Sequence, residues 1–314
     1  MLSPFCKSQV PSFMDMTRFV NTFGRYLRAK YGEKVHKISV NASFTCPNRD
    51  GTKGIGGCTF CNNASFSPDT TNAGDITAQI QSAKKKVSQR TGAGKFIAYF
   101  QSYSNTYGSV DDLRRYYDEA LSDDDVIGLA VGTRPDCVPD PVLALLKEYQ
   151  DKGYEVWLEL GLQSTFDASL IAVNRGHGFA EYEDAVKRAK GFGLKLCTHL
   201  IMGLPGEVPE DTLTSFDRVV ELGVDAIKVH PLHIVKGTQL ARDWKQGRVK
   251  EMTMDEYTHV MAEVIRRAPE HLLFHRLTGS GERQYLLSPE WAMKKWDILG
   301  LIYRKLEADC MTSS

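Results

Sequence analysis

Three cysteines lie close together in the run Cys46-Pro-Asn-Arg-Asp-Gly-Thr-Lys-Gly-Ile-Gly-Gly-Cys58-Thr-Phe-Cys61. The final Cys-x-x-Cys brings two thiolates to one metal centre, and the glycines before it allow the loop to fold back tightly. Three thiolates hold a tetrahedral zinc if a histidine or water completes the set. They also hold three irons of a [4Fe–4S] cube, which leaves one iron for a substrate or cofactor. The spacing predicts a metal site and leaves both metals open.

The other cysteines are scattered singly, at Cys6, Cys137, Cys197 and Cys310. An odd total of seven, unevenly distributed, does not resemble a disulfide framework. We therefore expect a reducing cytoplasm and no second cluster. Cys137 and Cys197 are expected to be small buried apolar side chains.

Short apolar runs alternate with longer amphipathic stretches between Val35 and His230. The runs predict six strands, at Lys37–Val40, Phe96–Phe100, Val126–Val131, Val156–Leu160, Leu194–Ile201 and Ala226–Val229. The stretches predict helices near Ile76–Arg90, Asp111–Leu121, Val142–Lys152, Tyr182–Gly191 and Asp211–Leu222. Alternation of this kind favours parallel strands with right-handed crossovers, in an open doubly wound sheet or an incomplete barrel. Periodicity alone does not choose between them.

Distinctive polar residues follow the predicted strands at their carboxyl ends, where both folds place their chemistry. They are Gln101, Thr133-Arg134-Pro135-Asp136, Gln163, Gly203-Leu204-Pro205-Gly206-Glu207 and His230. We therefore expect one site at that edge of the sheet.

The pattern changes after about Thr238. A helix is predicted at Met252–Ala268, a short strand at Leu272–Leu277 and a closing helix at Trp291–Leu306. We expect a lead-in and helix over residues 1–34, a core over 35–238 and a small α+β extension over 239–314 that packs on the core. Residues Met1–Pro11 resemble a disordered lead-in, and Met14 or Met16 could be the start.

The overall composition is that of a soluble globular protein, with 42% hydrophobic and 25% charged residues among 314. Lysine plus arginine equals aspartate plus glutamate, at 39 each, so no global field attracts DNA or an anionic membrane. A local basic patch could still bind RNA. No apolar run approaches the roughly 20 residues of a membrane span. The sequence favours a cytoplasmic protein without membrane or DNA partners.

The cysteine loop, with Phe60 before its last cysteine, resembles the signature of the radical S-adenosylmethionine (SAM) superfamily. Its gap of eleven residues between the first two cysteines is similar to that of the YhcC-like family, which is related to the radical SAM part of the elongator catalytic subunit. The resemblance continues through Ala98–Tyr103, Gly132–Asp136, Trp157–Gln163, Asn174–His177, His199–Glu207 and Lys228–His233.

This resemblance implies an α/β fold, a partial (β/α)6 TIM-type barrel. It implies one [4Fe–4S] cluster on Cys46, Cys58 and Cys61, with SAM on the open iron. Reductive cleavage of SAM then yields a 5′-deoxyadenosyl radical, with electrons from a low-potential donor of flavodoxin or ferredoxin type. The elongator relationship suggests tRNA as the substrate, at the side chain of a wobble uridine. The alternatives are a radical SAM enzyme acting on a small molecule and, in another class, a non-catalytic zinc-stabilised RNA-binding protein.

The resemblance also implies roles for particular residues near SAM. Phe60 packs on the adenine or covers the cluster, Gln101 and Ser102 end the strand that holds the methionyl amine, and the backbone of Ile201 to Gly203 meets the adenine. Glu159, in an apolar strand, needs a partner. The SAM ribose is one, and an ion pair with Arg134 or Arg175 is the alternative.

Basic residues near the rim are candidates for substrate contact. Four histidines fall near strand ends, and one of them could contact substrate: His177, His199, His230 and His233. In the tail, His275, Arg276 and Arg283 are candidates for phosphate contact. Lys84 to Lys86 is expected to be a solvated helix face.

Overall fold

The computed structural model describes residues 15–65 and 75–312, so the lead-in at Met1–Pro11, the start at Met14 and Cys6 lie outside the described residues. The strands are β1 (Val35–Val40), β2 (Lys95–Phe100), β3 (Val126–Thr133), β4 (Glu155–Gln163), β5 (Lys195–Met202), β6 (Ala226–Pro231), β7 (Ile234–Val235), β8 (Leu273–Arg276) and β9 (Leu286–Ser288). The helices are α1 (Phe23–Tyr31), α2 (Ile76–Thr91), α3 (Val110–Leu121), α4 (Asp140–Asp151), α5 (Asp167–Ala172), α6 (Phe179–Gly191), α7 (Pro209–Glu221), α8 (Gln239–Lys245), α9 (Met254–Arg267) and α10 (Lys295–Thr312).

Seven strands form one parallel sheet in the order β1-β2-β3-β4-β5-β6-β8. The sheet curls into a half-barrel, so the predicted partial barrel is confirmed and all six predicted strands are present. The seventh strand, β8, pairs with β6 and comes from the tail, where a short strand was predicted. The division at residue 238 stays a prediction, but the tail contributes a strand to the main sheet.

Side chains alternate between the two faces of the sheet, as strand geometry requires. On β2, Phe96, Ala98 and Phe100 join the large apolar cluster between the sheet and its outer helices. Ile97 and Tyr99 point to the other face, into the barrel. Because both faces are buried, the strands read as continuous apolar runs in the sequence.

The helices begin and end where the sequence provides caps. Asp75 accepts a hydrogen bond from the backbone of Ala78 at the start of α2, and Gly92, at φ +71°, ends it. Thr253 and Glu256 form a capping box at the start of α9. Two short helices, α5 and α8, were not predicted, since six or seven residues are too few to show a helical period. None of the described helices is long and apolar enough to cross a membrane.

The amino end of the barrel is closed around Glu155, which is fully buried. Its carboxylate accepts hydrogen bonds from Tyr26 (3.0 Å) and Tyr31 (2.8 Å) on α1, and from Lys195 (2.7 Å) on β5. The indole N–H of Trp157 donates to the same carboxylate at 2.8 Å. Although burial opposes ionisation, the lysines around it lower the pKa of Glu155 to about 2. Helix α1 therefore plugs this end, and the opposite end remains for a site.

Candidate active site

The cysteine loop follows β1 at the carboxyl edge of the sheet. The backbone N–H of Arg49 donates to the carbonyl of Cys46 (2.8 Å), and that of Cys61 donates to the carbonyl of Cys58 (3.0 Å). These two hydrogen bonds close tight turns, and the turns fix where the backbone places the cysteines. Gly57 adopts φ +79°, a conformation that side chains other than glycine rarely adopt, and a Cβ there would lie 2.8 Å from Nε of Arg49. The turns and the glycine together fix the loop geometry.

A segment far along the chain anchors this loop. The side-chain amide of Asn48 donates to the carbonyl of Asn174 at 2.5 Å, and the amide of Asn174 donates to the carbonyl of Gly57 at 2.8 Å. The backbone N–H of Thr59 also donates to the carbonyl of Val173 at 2.9 Å. The loop is thus held on both sides by residues that follow α5.

Arg175 connects the loop to the sheet. Its Nη1 lies 3.4 Å from Sγ of Cys58, and its Nη2 donates to the carbonyl of Gly161 on β4. Arg134 supports the same segment, donating to the carbonyl of Arg175 at 2.6 Å while it forms a two-bond ion pair with Asp136. Both arginines therefore serve the cysteine loop, and the predicted ion pair of either with Glu159 is wrong.

The spacing of the three cysteine sulfurs bears on which metal they suit. A single tetrahedral zinc at about 2.3 Å from each sulfur draws its ligand atoms to within about 4 Å of one another. Among the described residues, the side chains whose ligand atoms all lie within 4.8 Å are Glu159, Cys197 and His199, not the three cysteines. Wider spacing suits a cube in which each sulfur binds a different iron.

Positive groups surround these thiols. Burial and the neighbouring Cys58 raise the pKa of the Cys61 thiol, and Arg49 and Arg175 act in the opposite direction. The guanidinium groups favour the thiolate form, which is the form that binds metal.

A cavity of about 260 Å³ opens beside the loop. Seven residues predicted for the site line it: Cys46, Cys58, Phe60, Cys61, Gln101, Glu159 and Ile201. Ser102 and Gly203 do not belong to its lining. Gln101 and Ser102 follow β2 directly, and Gln101 lines the cavity while Ser102 is buried away from it. Gly203 turns the chain at φ +83° and lies against Met252. The predicted cluster ligation by the three cysteines and the predicted SAM contacts of the other six residues stay predictions.

Glu159 lies at the floor of this cavity, fully buried. Lys37 on β1 and Lys228 on β6 form ion pairs with its carboxylate, and Nε2 of His199 lies 2.8 Å from Oε2. His275 on β8 approaches Oε1 at 3.4 Å. Glu159 therefore forms ion pairs, as the alternative interpretation of the sequence expected, but its partners are two lysines and not an arginine. Its contact with the SAM ribose stays a prediction.

The electrostatics of the floor follow from burial and the two lysines. Burial opposes ionisation of Glu159, yet Lys228 and Lys37 hold its pKa well below the ordinary value. Burial lowers the pKa of Lys37 to about 8, and burial together with Lys228 lowers the pKa of His199 to about 4. The histidine is therefore neutral at neutral pH. Two ammonium groups on one carboxylate also disfavour a cation between Glu159, Cys197 and His199.

Of the four predicted histidines, three line the cavity: His199, His230 and His233. His177 does not line it, and its Nδ1 lies 3.2 Å from the carbonyl of Gly178. In the tail, Arg276 lines the cavity, whereas exposed Arg283 does not. Lys84 forms ion pairs with Asp123 (2.6 Å) and Asp125 (2.7 Å), as a solvated helix face can.

Sequence reasoning missed Lys37, Tyr99 and Lys228 as parts of the floor. Lys228 donates to the hydroxyl of Tyr99 at 2.9 Å and lies over its ring at 4.2 Å. The available signal was the presence of a lysine inside each of two apolar strands, matching the glutamate inside a third.

A half-barrel with a three-cysteine loop over the carboxyl ends of its strands defines a class of enzyme that binds an iron–sulfur cluster and SAM. The sequence profile of the radical SAM superfamily matches residues 41–219, and that of the radical SAM C-terminal domain matches residues 224–308. The chain belongs to the radical SAM superfamily and is an enzyme with a [4Fe–4S] cluster and SAM as cofactors.

The relatives extend along most of the chain. Protein YhcC of Escherichia coli (strain K12) is 48% identical over 283 residues, covering 90% of this chain and 91% of that protein. The tRNA uridine(34) acetyltransferase of Dehalococcoides mccartyi is 29% identical over 48% of this chain and 33% of that protein. The solved structure of Elp3 from Methanocaldococcus infernus has a TM-score of 0.65 at 18% identity, covering 88% of this chain and 63% of that one.

Proposed function

We propose that this enzyme generates a radical from SAM at a cluster held by Cys46, Cys58 and Cys61, and that it modifies the side chain of a wobble uridine in tRNA. The observation that carries the radical step is the opening of all three cysteines into one cavity at the carboxyl ends of the strands. When bound, the cluster and SAM supply a 5′-deoxyadenosyl radical that abstracts hydrogen. The protein must position the reactants and exclude water.

The chain's own residues divide this task. Arg175 and Arg49 stabilise the thiolates and fix the loop, and Asn48 holds it to Asn174. Phe60 and Ile201 provide apolar surface in the cavity wall for the adenine. Gln101, at the end of β2, provides a polar group for the methionyl moiety. The closed amino end, around Glu155, keeps water out from below.

The substrate class rests on relatives. Elp3 shares the fold, and the tRNA uridine(34) acetyltransferase is similar in sequence over 48% of this chain. The acetyltransferase names uridine 34 of tRNA as its own target, and we carry that target to this chain as part of the proposal. The chain covers about a third of that relative, so the carry-over concerns the radical SAM part alone.

A low-potential one-electron donor of flavodoxin or ferredoxin type is the second proposed partner. An outer recess beside the cysteine loop shares Cys58 and Cys61 with the cavity, so a donor there would lie close to the cluster. Arg49 and Arg242 line the recess, exposed Ile55 borders it, and no described lining residue is acidic. An acidic protein surface is complementary to it.

Two measurements test the proposal. Anaerobically purified protein should hold about four irons per chain and, with dithionite and SAM, should release 5′-deoxyadenosine. Colourless protein with one zinc per chain would instead support the zinc-stabilised RNA-binding alternative. For the substrate, nucleoside mass spectrometry of tRNA from a deletion strain should show an altered uridine derivative at the wobble position. An unchanged nucleoside profile would favour a small-molecule substrate.

A further inference from the structure

One wall of the cavity is formed by strands β6 and β8. Lys228 and Arg276 are register partners on these neighbouring parallel strands, so their side chains lie on the same face of the sheet. Both line the cavity, with His230 two residues beyond Lys228 and His233 in the following turn. We name these four residues the β6–β8 wall.

This wall and the floor beneath it carry more positive than negative charge. Glu159 is shared between Lys37 and Lys228, and it is the one acidic residue in the described lining of the cavity. Arg276 makes no ion pair or hydrogen bond with any residue in the described part of the chain. Three cations thus face one carboxylate. Lys228 is buried, whereas Arg276 is exposed where it lines the cavity, so an anionic ligand that reached both would accept a charge-assisted hydrogen bond from each.

Uncharged polar groups complete the wall. Nε2 of His233 is buried and has no hydrogen-bond partner among the described residues. Burial and Arg276 lower the pKa of His233 to about 4, so the ring is neutral at neutral pH and carries a single N–H, for which the Gly279 backbone is one partner. Gly279 lies beside both histidines, where a Cβ would come within 3.0 Å of Cβ of His230. The Gly279 backbone can therefore come close to the wall, where a larger residue would collide.

We propose that the β6–β8 wall binds a carboxylate carried by the substrate. This inference rests on the proposed function, and it means that the uridine side chain that the enzyme modifies carries an acidic group. A guanidinium beside an ammonium suits an oxyanion. The position of Lys228, buried inside the barrel, favours the end of a side chain over a backbone phosphate, which a polymer cannot bring so deep. The carboxylate of SAM is the other possible source, and the experiment separates the two.

Binding to the anaerobic holoenzyme with SAM, measured by calorimetry, tests the wall. The probes are 5-carboxymethyluridine, its uncharged methyl ester, uridine 5′-monophosphate, malonate and inorganic phosphate. The free acid should bind at least about tenfold more tightly than the ester, because a charge-assisted hydrogen bond contributes that much. Arg276→Gln should remove the difference. Arg283→Gln is the matched control, since Arg283 lies in the same tail, outside the cavity lining, and it should leave the difference unchanged.

The outcomes separate this proposal from the proposed function. Malonate binding that depends on Arg276, without nucleoside binding, would support the wall and argue against a uridine substrate. Tighter binding of uridine 5′-monophosphate than of the carboxylated nucleoside would contradict carboxylate binding and indicate that the wall binds a phosphate.

A raised KM for SAM in Arg276→Gln, measured as 5′-deoxyadenosine formed without substrate, would overturn the proposal in favour of the SAM carboxylate. Equal binding of every anion to wild type and Arg276→Gln, with SAM cleavage intact, would overturn the wall and leave the radical function standing. Matching iron content and circular dichroism would show that each variant is folded.

Discussion

Two buried glutamates lie four residues apart on the same interior face of β4, Glu155 at the amino end of the strand and Glu159 midway along it, at the floor of the cavity. Glu155 is surrounded by tyrosines, an indole and lysines from α1 and β5, and the chain closes over it. Glu159 is shared by two lysines and two histidines, and its upper side is a cavity. The same residue type in the same strand thus stabilises the fold at one end and sets the charge of a site at the other.

The difference arises from what covers each carboxylate. Helix α1 covers Glu155, and the ring of Phe23 on that helix packs at a tilt against the ring of His275, with 3.8 Å between the ring centroids. This contact lies between the closed end and the cavity. Nothing equivalent covers the carboxyl ends in the described residues, where the cysteine loop and the tail form walls around an opening. We therefore expect changes at the closed end to affect stability and changes at the open end to affect chemistry.

The largest effect should come from the open end. Cys58→Ala should abolish 5′-deoxyadenosine formation, because the cluster would lose a ligand. Cys137→Ala, at a buried cysteine outside the cavity lining, should keep the cluster and SAM cleavage. Iron analysis and product chromatography measure both. A Cys58→Ala enzyme that still cleaves SAM would show that another residue ligates the cluster.

A smaller effect should follow from Arg175→Gln, which removes the guanidinium beside Sγ of Cys58. Groups that orient metal ligands contribute about 10- to 100-fold to metal affinity or activity. We expect the cluster to lose iron to a chelator faster by a factor of that size, measured as the rate at which its visible absorbance falls. The matched control is Arg188→Gln, at a surface arginine on α6 that pairs with Asp184. Equal rates of iron loss in both variants would show that Arg175 does not stabilise the cluster.

At the closed end, Glu155→Gln should lower the free energy of unfolding without changing SAM cleavage per folded molecule. The pKa of Glu155 is about 2 in the folded protein, below its ordinary 4.5. Ionised Glu155 therefore stabilises the fold fully above about pH 4.5, and this contribution is lost as pH falls through about 2. The shift corresponds to about 3 kcal/mol at pH 7.

Denaturant titrations of wild type and Glu155→Gln across that pH range measure this contribution. The difference between them should shrink as pH falls below 4.5. A difference that stays constant from pH 7 to pH 3 would contradict the assignment. Glu159→Gln, at the open end, should instead alter substrate-dependent turnover.

The smallest effects should come from a matched pair of tyrosines. Tyr26→Phe removes a hydroxyl that donates to Glu155, and Tyr99→Phe removes one that accepts from Lys228. Each should cost about 1 kcal/mol of unfolding free energy. Only Tyr99→Phe should change the coupling of SAM cleavage to substrate, measured as 5′-deoxyadenosine per modified product. Equal coupling in the two variants would contradict the view that the residues around Glu159 affect chemistry while those around Glu155 affect only stability.

The sequence by itself determined the alternation of strands and helices, the edge that carries the site and the cysteines that define it. These features are local, because apolar runs, caps and the Cys-x-x-Cys spacing depend on neighbours in the chain. It also identified Glu159 as a buried carboxylate in need of a partner, since a glutamate in an apolar strand is costly.

Only the tertiary structure decided which residues meet. The partners of Glu159 come from β1, β5, β6 and β8, up to 122 residues away along the chain for Lys37. Arg134 and Arg175, which the sequence suggested as partners of Glu159, instead hold the segments at the cysteine loop. Strand β8 completed the sheet and brought Arg276 beside Lys228. Such pairings follow from sheet order and register, which no local pattern encodes, because parallel strands bring distant segments side by side.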